Sequence, residues 1–276
     1  MINLKNKFIE VFEPTMSAKG FSRKGGVFHR IVNGQIAQLL SLKKFAGGYE
    51  YTPQFLIHPL CLETDFATFM DDIRMSEFFA DVQEWGFSNE KDLGKMPLVL
   101  QEVEQYLFPL FDTIIDYSTY WEHLNSQELK IYDGRLYIMS LAVGKYDISQ
   151  QSREAYIKRV IEVQKMNREY DEICVKELKL NQMPDYNITI SRQKEFLEAK
   201  QQRFEKECEE YYQVRDAITR NDTDYIEAYI RDREQESLDS YVKAYTTPNK
   251  YKAYLMTGLL PFKFVTVNDI SSIFES

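Results

Sequence analysis

Histidine exchanges protons and binds transition metals near neutral pH, and this chain has three, His29, His58 and His123, each isolated in sequence. No two histidines have the i, i+4 spacing of a zinc-binding helix. There is also no phosphate loop of the Walker type, no dinucleotide glycine pattern, no nucleophile elbow and no deaminase signature. Cys61, Cys174 and Cys208 are odd in number and far apart, and none falls in a paired metal or redox spacing. Each reads as a small apolar side chain in a reducing compartment, because nothing nearby would lower its pKa. Acidic neighbours such as Asp71-Asp72 and Glu209-Glu210 point in different directions on a helix, and Glu205 with Glu209 at i, i+4 reads as part of a solvated face. These patterns point to no catalytic residue, no metal site and no cofactor.

The most distinctive string is Lys19-Gly20-Phe21-Ser22-Arg23-Lys24-Gly25-Gly26-Val27-Phe28-His29-Arg30, where a helix end, a glycine turn and a basic-aromatic strand meet. Arg23, Lys24, His29 and Arg30, with Lys43 and Lys44 further on, are the candidate ligand- or partner-binding residues. Their cationic groups beside the Gly25-Gly26 turn suit a phosphate or carboxylate, with backbone amides of the turn assisting. Strand geometry limits the idea, since His29 and Arg30 must point to opposite faces. If Phe28 and Arg30 lie on the core side, Arg30 needs a partner; if His29 does, Phe28 is exposed.

The elements around this string follow from periodicity and turn residues. Leu4, Phe8, Ile9 and Phe12 recur at helical spacing, with Pro14 expected to kink or end the helix before Gly20. Strands are expected over residues 27–32, 35–42 and 49–58, joined by turns at Asn33-Gly34 and Gly47-Gly48, with Pro53 placing the third strand at a sheet edge. From Thr64 the period becomes helical through Phe66, Phe69, Met70 and Ile73, with Thr64 or Asp65 as cap. Residues 85–89 read as a loop or short return strand. Residues 98–124 read as helix bent or divided at Pro109, and 127–143 as mainly helical.

Beyond Gly144 the texture turns to long charged helices, which suggests a boundary between an α+β domain of residues 1–145 and a helical domain of residues 146–276. One helix carries Tyr156, Val160, Ile161 and Val163; another runs from Ser191 to about Arg220 with the stripe Leu197, Phe204, Tyr211, Ile218. Of the companion positions Lys200, Glu207 and Val214 only the last is apolar, so a packed helical hairpin is favoured over a coiled-coil dimer. A turn and cap at residues 221–224 precede a helix bearing Tyr225, Ile226, Tyr229 and Ile230 and extended through Leu238, Tyr241 and Val242. The expected fold is α+β: an N-terminal helix and small antiparallel β-meander packed with helices, then a mainly helical C-terminal region.

At 276 residues the chain can bury a core without disulfides, and 19 Tyr and 18 Phe supply large aromatic surfaces. The net charge of −9 divides unevenly: residues 1–50 hold eight basic and three acidic residues (+5), and the rest hold 26 and 40 (−14). An acidic body repels phosphate backbones, so nucleic acid is not expected as a partner despite Phe21, Phe28, Tyr49 and Tyr51 being able to stack on bases. No apolar run of membrane-spanning length and no signal peptide is present, which leads to the expectation of a cytoplasmic protein.

Gly20-Phe21, Arg23-Lys24-Gly25 and Phe28-His29-Arg30 resemble the opening of the bacterial domain of unknown function family 4304. The resemblance extends through Gln38 to Ile57 and to Tyr106-Leu107-Phe108-Pro109-Leu110-Phe111, covering roughly the first 150 residues, while the helical C-terminal half departs from it. It implies an α+β domain with a small antiparallel sheet and, by association, a place among bacterial accessory or toxin-immunity proteins. The functional expectation is a non-catalytic protein-interaction factor, with an immunity or defence association as its narrower form, whose partner is another protein and whose oligomeric state is open. The alternative is an anion- or phosphate-binding module or enzyme built on residues 20–30.

Overall fold

A computed structural model describes residues 4–44, 50–62, 66, 73–79, 81, 85–88, 90–125, 133–177 and 186–246. The first helix, α1 (Leu4–Ala18), buries Phe8, Phe12 and Met16 along one face. Pro14 neither ends nor divides it. Its ring is exposed, so the carbonyl it leaves unpaired lies on the solvent side, where water can satisfy it. The helix stops where Gly20 adopts φ +78°, with Gly20 N–H donating to Ser17 O and Phe21 N–H to Met16 O, a Schellman cap that turns Phe21 into the core.

A five-stranded antiparallel sheet follows in sequence order: β1 (Ser22–Lys24), β2 (Val27–Val32), β3 (Ile36–Lys44), β4 (Tyr51–Pro59) and β5 (Ile73–Arg74). The meander is thus longer than three strands. Asn33 and Gly34 both take positive φ, 50° and 70°, the signature of the Asn-Gly hairpin turn. Ile73, expected on a helical face, instead pairs with Phe55 as β5. Phe69, Met70, Thr64 and Asp65 lie outside the described residues, as do Gly47-Gly48. Because β5 spans only two residues, β4 is unpaired on that side at Pro53, whose missing N–H therefore costs no ladder bond. Phe87 forms an antiparallel bridge with Tyr51, the short return expected over residues 85–89.

Helices α2 (Met75–Phe78), α3 (Met96–Glu102), α4 (Phe108–Thr113), α5 (Tyr117–Asn125) and α6 (Asp133–Ala142) follow, with a π-helical turn at Val103–Leu107 between α3 and α4. The chain stays right-handed helical through Pro109, because the wider turn before it makes room for the ring. The break comes five residues later at Ile114, whose ψ of 89° leaves helical space. The next helix opens on a reciprocal cap: Thr119 N–H donates to Asp116 Oδ1 at 2.8 Å and Asp116 N–H to Thr119 Oγ1 at 3.1 Å.

Gly144, at φ +72°, ends α6 in a second Schellman cap and leads into α7 (Tyr146–Glu177), α8 (Tyr186–Arg220) and α9 (Thr223–Tyr241), the last continuing as a π-helical turn through Thr246. Asp222 caps α9 by accepting from Tyr225 N–H at 3.1 Å.

The sheet is buried on both faces. Phe28, Ile36, Leu40, Phe55 and Ile57 face α1, α3 and α4, with the Phe8 ring tilted against Phe28 and Phe111 edge-on to Phe55. Ala37, Leu39 and Leu56 face the opposite way, against Phe66, Tyr241, Ala244 and Tyr245. The C-terminal end of α9 is therefore the second cover of the sheet, and its earlier residues Ile226 and Ile230 join the first cluster. Residues on both sides of position 145 share these two cores.

Gly20→Ala is expected to cost about 1 kcal/mol or more, since an alanine at positive φ is strained although nothing lies within 4 Å of its Cβ. Chemical denaturation of the purified variant measures it.

Candidate functional site

Alternation along β2 sends His29 and Arg30 to opposite faces of the sheet. Arg30 lies on the same face as Phe28 and finds the partners that position demands. Its Nε donates to Gln38 Oε1 at 2.8 Å, one Nη to Lys19 O at 2.6 Å and the other to Asp112 at 3.3 Å, with the guanidinium 4.4 Å from the Phe21 ring centre. Burial works against the Asp112 carboxylate, yet hydrogen bonds from Lys19 and Arg30 hold it below the usual carboxylate range. Gln38, fully buried, completes the knot by donating to Phe111 O at 2.7 Å and Ile114 O at 2.9 Å. Arg23, exposed, pairs with Glu13 of α1 at 2.8 Å and donates to Gly25 O.

His29 is buried on the opposite face without exposing Phe28, because both faces are covered. Its Nδ1 lies 2.7 Å from the Tyr241 hydroxyl, and the Tyr245 ring stacks on it at 4.9 Å. Its Nε2 is buried and makes no hydrogen bond. Burial, then the nearby Lys24 charge, pushes the imidazole pKa down to about 4, so the ring is neutral at pH 7. Lys24 donates to Ala244 O at 2.6 Å, and burial lowers the pKa of the half-buried Lys43. Lys44 pairs with Tyr51 in the ladder. Arg23 and Arg30 are thus joined to acids beside α1 and α4, while Lys24 and His29 meet the end of α9. Among the described side chains, these candidates do not converge on one point.

The other histidines are also placed by packing. His58 Nε2 lies 2.9 Å from Leu62 O; since a carbonyl only accepts, Nε2 carries the proton. His123 sits in the last turn of α5. Cys61 is fully buried, which drives its thiol pKa far above its ordinary value, and Cys208 is partly buried. Among the described residues no three metal-binding side chains cluster, and no helix is long and apolar enough to cross a membrane.

A concave surface lies elsewhere among the described residues. A groove of about 440 Å³ runs between α7 and α8, lined by Glu154, Ile157, Lys158, Ile161, Tyr211 and Tyr212 among others. Behind the lining residue Tyr211, buried Arg153 holds its guanidinium 6.0 Å from that ring centre and 4.5 Å from the Tyr137 ring centre. The groove rim carries Ile161, 53% exposed, and Tyr212, 47% exposed, with the Arg215 guanidinium 4.9 Å from the Tyr212 ring centre. Of the six large apolar side chains exposed among the described residues, four (Ile148, Ile161, Val163 and Tyr212) are on these two helices. Of the stripe Leu197, Phe204, Tyr211, Ile218, the Leu197 side chain lies outside the described ones and the other three are buried or half-buried, so helical periodicity accounts for Tyr211 and misses Tyr212. The adjacent pair is the available signal, since residues one apart sit about 100° apart and both rings cannot share one buried face.

Comparison with protein-family models, curated proteins and solved structures gives no match to this chain.

Tyr241→Phe removes the one hydrogen bond of the His29 ring and is expected to cost about 1–3 kcal/mol. The lowered His29 pKa adds a pH dependence. The unfolded chain takes up a proton near pH 6.5 and the folded chain only near 4, so stability falls as pH drops through that window and levels off below it. His29→Gln should remove this dependence, by up to about 3 kcal/mol between the two limits, in denaturation curves at pH 7 and pH 4.

Proposed function

We propose that the protein is a non-catalytic protein-interaction factor whose contact surface is the α7–α8 groove. The observation that carries this reading is the α7–α8 groove itself, where exposed Ile161 and Tyr212 stand among Glu154, Lys158, Glu162 and Arg215. An apolar centre edged with charge is the usual make-up of a protein contact, where aromatic residues and Arg contribute most of the affinity. Tyr212 with Arg215 on its ring is such a pair. The resemblance to the family numbered 4304 extends the proposal to an immunity- or defence-associated role in a bacterial cytoplasm.

The anion-binding alternative draws no comparable support. Arg23 and Arg30 already hold carboxylates, and Lys24 holds a carbonyl.

Affinity purification of the tagged full chain from its native cells tests the reading. A protein should be retained, and Ile161→Glu combined with Tyr212→Glu should release it, while circular dichroism and melting stay unchanged. Retention by the double variant, or no retained protein at all, would overturn the proposal.

A further inference from the structure

The exposed side of α7 carries a charge order that is complementary to its own reversal. Glu154, Lys158, Glu162 and Lys165 alternate negative, positive, negative, positive, and all four are exposed. At 100° per residue they share one face of the helix, about 140° wide, with Ile157 and Ile161. Read backwards, the order is positive, negative, positive, negative. An antiparallel copy of α7 about a two-fold axis near residue 160 therefore sets Glu154 against Lys165 of the second copy and Lys158 against Glu162 of the second copy, each contact occurring twice. Ile157 and Ile161 of both copies fall at the centre. A parallel pairing would set like charge against like.

We propose that the occupant of the α7–α8 groove is a second copy of this chain, in an isologous antiparallel dimer. The inference rests on the reading of α7–α8 as a protein contact surface and names its partner. Two observations favour a copy over an unrelated chain. Lys158 and Glu162 form no ion pair among the described residues although they stand at i, i+4, which leaves their charges available across an interface. The isoleucines lie between the charges, giving the apolar centre and charged margin that a two-fold contact repeats on both partners. Helices of 32 and 35 residues, roughly 48 and 52 Å long, supply the length needed for the roughly 800 Å² per partner of a stable interface.

Light scattering and sedimentation of the purified full chain over a wide concentration range test this. The wild-type chain should be a dimer that dissociates on dilution, and Ile161→Glu should be monomeric with an unchanged circular dichroism spectrum and melting curve. Glu154→Lys and Lys165→Glu should each weaken self-association roughly tenfold, because each creates two like-charge contacts. The combined variant restores opposite charges across the axis and should return to near wild-type affinity. A chain that is monomeric at every concentration, a dimer insensitive to Ile161→Glu, or a combined variant no tighter than the single ones would overturn the inference. If the chain is monomeric while the groove variants still release a different protein from native cells, only the dimer falls. If neither association occurs, the interaction reading falls with it.

Discussion

The structure depends on a sheet that has no free face. Once β2, β3 and β4 are covered by α1, α3 and α4 on one side, their other side still presents Leu39, Leu56 and Ala37, which must leave water. That cover comes from the far end of the sequence. Helix α9 is tied along its length by residues that fall within about 140° of its circumference: Tyr229 to Tyr137, Arg233 to Glu210, Glu234 to Tyr117, Ser237 to Leu62 O, and Tyr241 to His29. This spacing keeps one face of the helix inward, as a strut from the helical layer to the sheet.

The same burial explains what becomes of the basic N-terminal segment. A charge carried into the interior needs hydrogen-bonded partners, and Arg30 obtains them from Gln38, Lys19 O and Asp112, the last two contacts at the solvent margin. On the opposite face, burial and the nearby Lys24 charge keep His29 neutral, and it bonds to a tyrosine hydroxyl. In the helical layer, guanidinium groups are buried against rings instead: Arg153 against Tyr137 and Tyr156, and Arg233 against Tyr229. Tyr137, Tyr156, Tyr211 and Tyr229 serve this internal purpose, whereas Tyr212 is the tyrosine left exposed among the described residues.

Where local expectation and structure part, a neighbouring element decides. Pro14 remains within a helix because its unpaired carbonyl faces water, and Pro109 because a π-helical turn precedes it. Ile73 leaves the helical period to pair with Phe55, since an extended edge beside β4 gains ladder hydrogen bonds that the periodic pattern does not register. Caps behave differently. Gly20, Gly144 and Asp222 act where their residue types indicate, because a cap is completed within five residues of chain.

The amino-acid sequence by itself determined the α+β class, the Asn33-Gly34 hairpin, the helix ends at Gly20 and Gly144, and the opposite directions of His29 and Arg30. Each of these follows from backbone sterics or a fixed repeat acting over a few residues. The tertiary structure alone decided that both faces of the sheet are buried, that Arg30 meets Asp112 while His29 meets Tyr241, and that Ile161 and Tyr212 are left facing water. Those outcomes depend on residues 82 and 212 positions apart being brought together, and no local periodicity specifies which apolar stripe finds a partner.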